Sequence, residues 1–284
     1  MAPVQGIMAD MKKITAIIFV MVFLAASPAC SAEQSNCKSS EKKTDVKTCK
    51  TNPAKEQNKE PDRVNKILAE LSIQTGKLKS YKAQISYLFV EAPDMLDMRT
   101  LRKGMIYYLK DEKGSQIRIN FLSRQQDDDK EQKYRKEYIF DGVRLVEIDY
   151  HLKQETIREI ATKDRPRDIF EFISGNFPII GFGSGEDLRK DFSISHTADD
   201  DPNLIQLHLE VKKGSKYEDK YKTVEFWVDK KVKLPVRVVA NSTEGDIYDI
   251  KFIEPQVNKK IKMAVFKLET PADFSKNVIP LKDK

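Results

Sequence analysis

Few residues in this chain could do chemistry, and their spacing argues against most of it. The three histidines, His151, His196 and His208, stand far apart. None is spaced with another histidine or a carboxylate in the manner of a metal motif. His208 alternates with Leu207 and Leu209, which predicts a solvated ring on the polar face of a strand; His151 falls at a strand junction and His196 near a turn. The glycines Gly181, Gly183 and Gly185 lack the preceding strand and the helix context of a dinucleotide loop. Neither a G-x-S-x-G elbow nor a P-loop occurs. Acidic runs such as 199–201 fall in predicted turns, where a short carboxylate bonds the local backbone. The pattern points to binding and not to catalysis: no catalytic residue, metal or cofactor is expected.

The cysteines carry a different kind of chemistry, that of export. Lys12 and Lys13 precede an uncharged apolar run from Ile14 to Ala26, and small residues follow through Ala32. That is the order of a secretory signal, and the run is too short for a spanning helix, which needs roughly 20 apolar residues. Residues 1–32 are therefore read as a signal peptide and the destination as the periplasm. Cleavage after Ala32 would release a soluble protein. Cleavage before Cys30 would instead make Cys30 the acceptor of a lipid anchor, although Ser27 stands where a lipobox usually has leucine. Cys37 and Cys49 remain in either case, and in an oxidising compartment they could close a small loop.

Residues 33–60 carry seven lysines against five acids and almost no large apolar side chains. Such a segment cannot offset its ordering entropy by burial, which predicts a disordered polar tether. The formal net charge of the whole chain is +6, but both signs are interspersed beyond residue 60. A nucleic-acid partner would require the cations on one face or stripe, so none is expected.

From Pro61 the periodicity changes. Val64, Ile67, Leu68, Leu71 and Leu78 recur at three- and four-residue steps, the signature of one amphipathic helix with Pro61 in its first turn. From Tyr81 the period becomes two. Eleven alternating runs follow, near 81–89, 103–110, 116–122, 134–141, 143–150, 153–160, 192–197, 203–211, 222–229, 234–241 and 246–253, separated by turn pairs such as Asp141-Gly142 and Glu244-Gly245. Short strands joined by tight turns, each with one apolar face, predict a mainly β fold (α+β) of about eleven antiparallel strands, a large curved sheet or barrel. Its domain would span 61–284. Alternation proposes Tyr87, Phe89, Met105, Tyr107, Phe226, Val228 and Val238 as the apolar wall, in a register that a one-residue slip would replace.

The strands are interrupted at 163–190, where eight large apolar residues fall within fourteen positions, 169–182. A helix near 166–174 and a second near 185–190 are predicted. Phe170, Ile173, Phe177, Ile180 and Phe182 are its candidate apolar face. Two readings stand side by side: a plug that fills the open end of the barrel, or a lid that shifts when ligand enters.

One helix, a run of antiparallel strands, a central helical insertion and more strands: this order resembles the periplasmic outer-membrane lipoprotein carriers of the LolA family. The local segments LKSYKAQISYLF (78–89), GMIYYLK (104–110), YIFDGVRLVEID (138–149), KQETIREI (153–160) and the closing run 234–274 with Phe266 and Pro271 carry the resemblance, over about 61–280. It implies a half-open, incomplete antiparallel barrel with a helical lid over an apolar cavity for acyl chains. The implied cargo is lipoprotein or another acylated lipid, passed between membrane-linked donor and acceptor proteins by a monomeric carrier. The same half-barrel also serves membrane-anchored acceptors and periplasmic stress regulators, which are the alternatives. Family members carry Arg-Pro after the second strand, the arginine bonding the lid; this chain has Lys110-Asp111 there. Lys110 and Arg118 are the candidates for such a lock.

Overall fold

The computed structural model describes residues 60–93, 98–112, 114–176, 182, 185–197 and 200–281. The signal, almost all of the tether and Cys30, Cys37 and Cys49 lie outside the described residues. Helix α1 (Glu60–Gly76) opens the fold, and its stripe of Val64, Ile67, Leu68 and Leu71 is buried. Six strands then run as a meander: β1 (Ser80–Val90), β2 (Arg99–Asp111), β3 (Gly114–Gln126), β4 (Gln132–Phe140), β5 (Arg144–Asp149) and β6 (Gln154–Glu159). Two short helices follow, α2 (Ile169–Asn176) and α3 (Gly185–Asp191). A second meander comprises β7 (Phe192–His196), β8 (Leu204–Val211), β9 (Tyr221–Asp229), β10 (Pro235–Ser242) and β11 (Ile247–Val257). The two meanders join where β11 pairs with β1, and a last strand, β12 (Ser275–Ile279), lies beside β6.

The result is one open sheet in the order β12-β6-β5-β4-β3-β2-β1-β11-β10-β9-β8-β7. All eleven predicted runs are strands of it. The twelfth was not predicted, and it pairs with β6 in parallel. Alternation gives each strand an inner face, on which the helices' aromatic residues dock, and an outer face. In β1 the inner set is Tyr81, Ala83, Ile85 and Tyr87, all buried, opposite Tyr108, Ile106, Gly104 and Arg102 of β2. Gly104 sits where the β2–β3 register shifts. A Cβ there would lie 1.9 Å from the Asn120 carbonyl oxygen, so the close approach of the two backbones permits no side chain. Shifts of this kind bend a strand and tighten its twist, which curls the sheet into a half-barrel.

A strap covers part of the outer face. At the end of β11 the side-chain oxygen of Asn258 accepts from the Lys79 and Ser80 amides at 2.7 and 3.3 Å. The Ser80 hydroxyl donates to the Lys259 carbonyl at 2.6 Å. A 3-10 turn (Met263–Phe266) then packs against β3 with Phe266 buried. Further on, Phe274 meets Tyr150 edge-on at 5.3 Å and Asp273 pairs with Lys153 at 2.7 Å. This crossing delivers β12 to the edge of β6 in the parallel sense, which no tight turn could do.

Candidate functional site

The inner face is the candidate site, and its cover is built from aromatic rings. At the start of α2 the Asp168 carboxylate accepts from the Glu171 amide at 2.9 Å, capping the helix as a short acidic side chain does. The next turn then presents its rings to the sheet. Phe172 stacks on Phe140 of β4 at 4.1 Å, and Phe170 lies 4.6 Å from Tyr108 of β2. Phe170 also stacks on Phe182 at 5.7 Å, and Phe182 meets Tyr81 and Phe252 edge-on at 5.4 and 5.5 Å. Ile173 is buried beside them. These rings tie the interruption to both meanders. Geometries of this kind contribute about 0.5–1.5 kcal/mol per pair beyond simple burial.

Helix α3 is clamped to α1 instead. The Gly185 amide donates to the Ser72 hydroxyl at 2.6 Å, and that hydroxyl donates to the Leu68 carbonyl at 2.8 Å. Any Cβ on Gly185 would meet both acceptors at 2.8 Å, so the contact requires glycine. Arg189 adds a hydrogen bond to Asn65.

Beneath the cover the inner face has two regions. Across β8 to β11 it is apolar: Leu207, Leu209, Val224, Phe226, Val228, Val238, Ala240 and Ile250 are each no more than 2% exposed. Tyr87 lies on this face, in register with Ile250. Phe89 is half-buried against Tyr248 at 5.2 Å. Burial pushes the phenols of Tyr81, Tyr138, Tyr221 and Tyr248 up, and that of Tyr87 up to about 12. A neutral phenol is the form that a weakly hydrated face holds.

Across β2 to β5 the same face carries charge. Lys136 is buried and reaches Glu147 at 2.6 Å and Asp149 at 3.4 Å. Burial opposes its charge, but Tyr138, Glu147 and Tyr134 outweigh that and hold the ammonium pKa above its ordinary range. Arg102 lies 5.9 Å from the Tyr87 ring and Arg124 5.0 Å from the Tyr134 ring. The resemblance implies an apolar cavity, and this part of the inner face carries buried charge instead.

Of the proposed wall, Tyr87, Phe89, Phe226, Val228 and Val238 face inward. Met105 and Tyr107 do not: they oppose Gln84 and Lys82 of β1, on the outer face. Strand β2 is apolar on both faces, with Met105 and Tyr107 on one and Ile106 and Tyr108 on the other, so alternation alone could not choose. Of the proposed lid, Phe170, Ile173 and Phe182 are placed as above, while Phe177 and Ile180 lie outside the described residues. Arg118 is not a lid lock. It points outward, where it bonds the Val265 carbonyl of the strap and pairs with Glu137 at 2.6 Å. Lys110 is exposed near the end of β2. His208 is on the outer face, bonded to Glu225. Among the described residues no group of three or more potential ligands could hold a metal.

No protein-family model matches the sequence, and no curated protein matches it. Solved structures do. A LolA superfamily protein from Nitrosomonas europaea aligns at 11% identity over 72% of this chain and 97% of its own, with a TM-score of 0.35. An uncharacterised conserved protein from Thermus thermophilus aligns at 13% identity over 77% of this chain and 99% of its own, with a TM-score of 0.45. MucB aligns at 10% identity over 73% of this chain with a TM-score of 0.47, and the match spans 63% of MucB's length. These are likenesses of fold, and what the inner face can hold is decided by its own side chains.

Proposed function

We propose that this protein is a periplasmic carrier of lipids or lipoproteins, which shelters acyl chains on the inner face of its half-barrel and passes them between membrane-linked partners. One observation carries the reading: a short helical insertion lies over the inner face, held to β1, β2, β4 and β11 largely through three phenylalanines, beside the apolar region of β8 to β11. The function needs no covalent step, only exchange of that roof for a ligand.

The magnitudes favour such an exchange. Lifting Phe170, Phe172 and Phe182 from the sheet exposes three aromatic side chains, at about 1.5–3 kcal/mol each. Burying the methylenes of one palmitoyl chain returns about 0.8 kcal/mol apiece, roughly 11 kcal/mol in all. One long chain offsets the displaced roof; a short one does not. Titration of the full chain with fluorescent acyl probes tests this. Affinity is expected to rise steeply from octanoyl to palmitoyl probes, and to fall when Phe226→Asp places a charge on the apolar region. A protein that retains its native fold and binds no acyl probe of any length is not a carrier.

A further inference from the structure

The charged region of the inner face has no part in sheltering a hydrocarbon chain, and its composition is unbalanced in a specific way. Arg102 of β2 and Arg124 of β3 are direct cross-strand partners, so two arginines project from neighbouring positions on one face. Like charges in that position repel and destabilise a strand pair. The nearby carboxylates do not relieve them. Glu147 and Asp149 are both engaged by Lys136, and Asp149 also accepts from the Tyr134 hydroxyl at 3.4 Å. Against the two arginines lie aromatic rings, Tyr87 below Arg102 and Tyr134 below Arg124; the buried Asp246, which acts on the same Tyr87 phenol, accepts from the Ala92 amide.

The Nε of Arg102 is buried away from water and has no hydrogen-bond partner. An unpaired buried N–H of a charged group costs about 1–3 kcal/mol or more. A planar guanidinium with unfilled donors is the shape that takes a carboxylate or phosphate oxygen pair. The position matters as much as the charge. Arg102 is in register with Tyr87, and Tyr87 with Ile250 of the apolar region. An anion on Arg102 would thus sit at the border of the acyl-binding surface.

We infer that Arg102 and Arg124 form a headgroup subsite for the oxyanion of an acidic amphiphile, a phosphate or carboxylate whose acyl chains occupy the apolar region. The inference rests on the carrier reading and sharpens it from acylated cargo in general to cargo with an acidic head. Arg102 supplies a two-point contact, and Arg124 neutralises the second charge. Lys136 is held back by its own two carboxylates and keeps the acids away from the arginines.

Calorimetric titration of the full chain with three probes tests it: dioctanoyl phosphatidic acid, dioctanoylglycerol and inorganic phosphate. The acidic lipid is expected to bind at least roughly tenfold tighter than the neutral one, the value of one charge-assisted contact. Arg102→Gln should abolish that preference while leaving the affinity for dioctanoylglycerol unchanged, which also shows that the variant is folded. Arg102→Lys should recover part of the preference. Equal affinity for the two lipids in the parent protein, or an unchanged preference in Arg102→Gln, would overturn the subsite and leave the carrier reading standing. Inorganic phosphate binding as tightly as the acidic lipid would overturn the headgroup assignment in favour of a free anion. Binding of neither lipid overturns the subsite, and the carrier reading with it when no palmitoyl probe binds either.

Discussion

Tyrosines give the inner face its most readable titration. Tyr81, Tyr87, Tyr138, Tyr221 and Tyr248 have their pKa values raised, in each case first by burial; for Tyr87, Arg102 pulls the other way and Asp246 adds. A phenol whose folded pKa exceeds its unfolded value of about 10 favours folding while neutral. That contribution is complete below about pH 10 and is lost as pH rises, for Tyr87 through a window from about 10 to about 12. Absorbance titration should therefore show the native protein ionising its tyrosines later than the denatured chain. Superimposed native and denatured curves would contradict this burial. Gly104 gives a second test at this scale. Gly104→Ala drives a methyl into the Asn120 carbonyl, and the expected loss is at least about 1–3 kcal/mol by chemical denaturation.

Residue-level chemistry was the least legible part of the sequence. Arg118 alternates with Ile117 and Ile119, so its outward orientation could have been read from the apolar set on either side. Arg102 was harder. It is in phase with Ile106 and Tyr108 of the inner face, but charge in an apolar register looks like the end of a strand. Only pairing with Tyr87 and Arg124 shows otherwise, and pairing is non-local.

Among the elements, the strands were legible because most bury one face and solvate the other. Strand β12 was not: nearly all of Ser275–Ile279 is exposed, and its place depends on a strap with no periodicity. That strap is anchored through Arg118, and Glu137 beneath it is only 2% exposed. Arg118→Ala should cost about 3 kcal/mol, the low end for breaking a buried pair, because Arg135 still reaches Glu137 at 2.8 Å. Urea denaturation measures it; a change below about 0.5 kcal/mol would mean that the strap is not fastened there. The helical insertion was legible as an apolar interruption but not as lid or plug. Phe182→Ala separates these, since it removes ring contacts to Tyr81, Phe252 and Phe170. A lid should admit a palmitoyl probe severalfold faster in this variant. A plug leaves the association rate unchanged and shows only a lower melting temperature.

For the molecule as a whole, the half-barrel class followed from the order of the elements, and the function reading follows from how they are layered. An apolar sheet face flanked by an aromatic roof suits a ligand with long chains, and the arginine pair at its border suits an acidic head. The most direct test is to purify the protein from its native host under mild conditions, extract it with organic solvent and weigh what is released. A carrier yields long-chain acylated lipid or lipoprotein at a substantial fraction of one ligand per protein, and the emptied protein takes up a palmitoyl probe. Protein that releases no acylated compound and refuses the probe, while still folded, would contradict the proposal that this fold handles lipids.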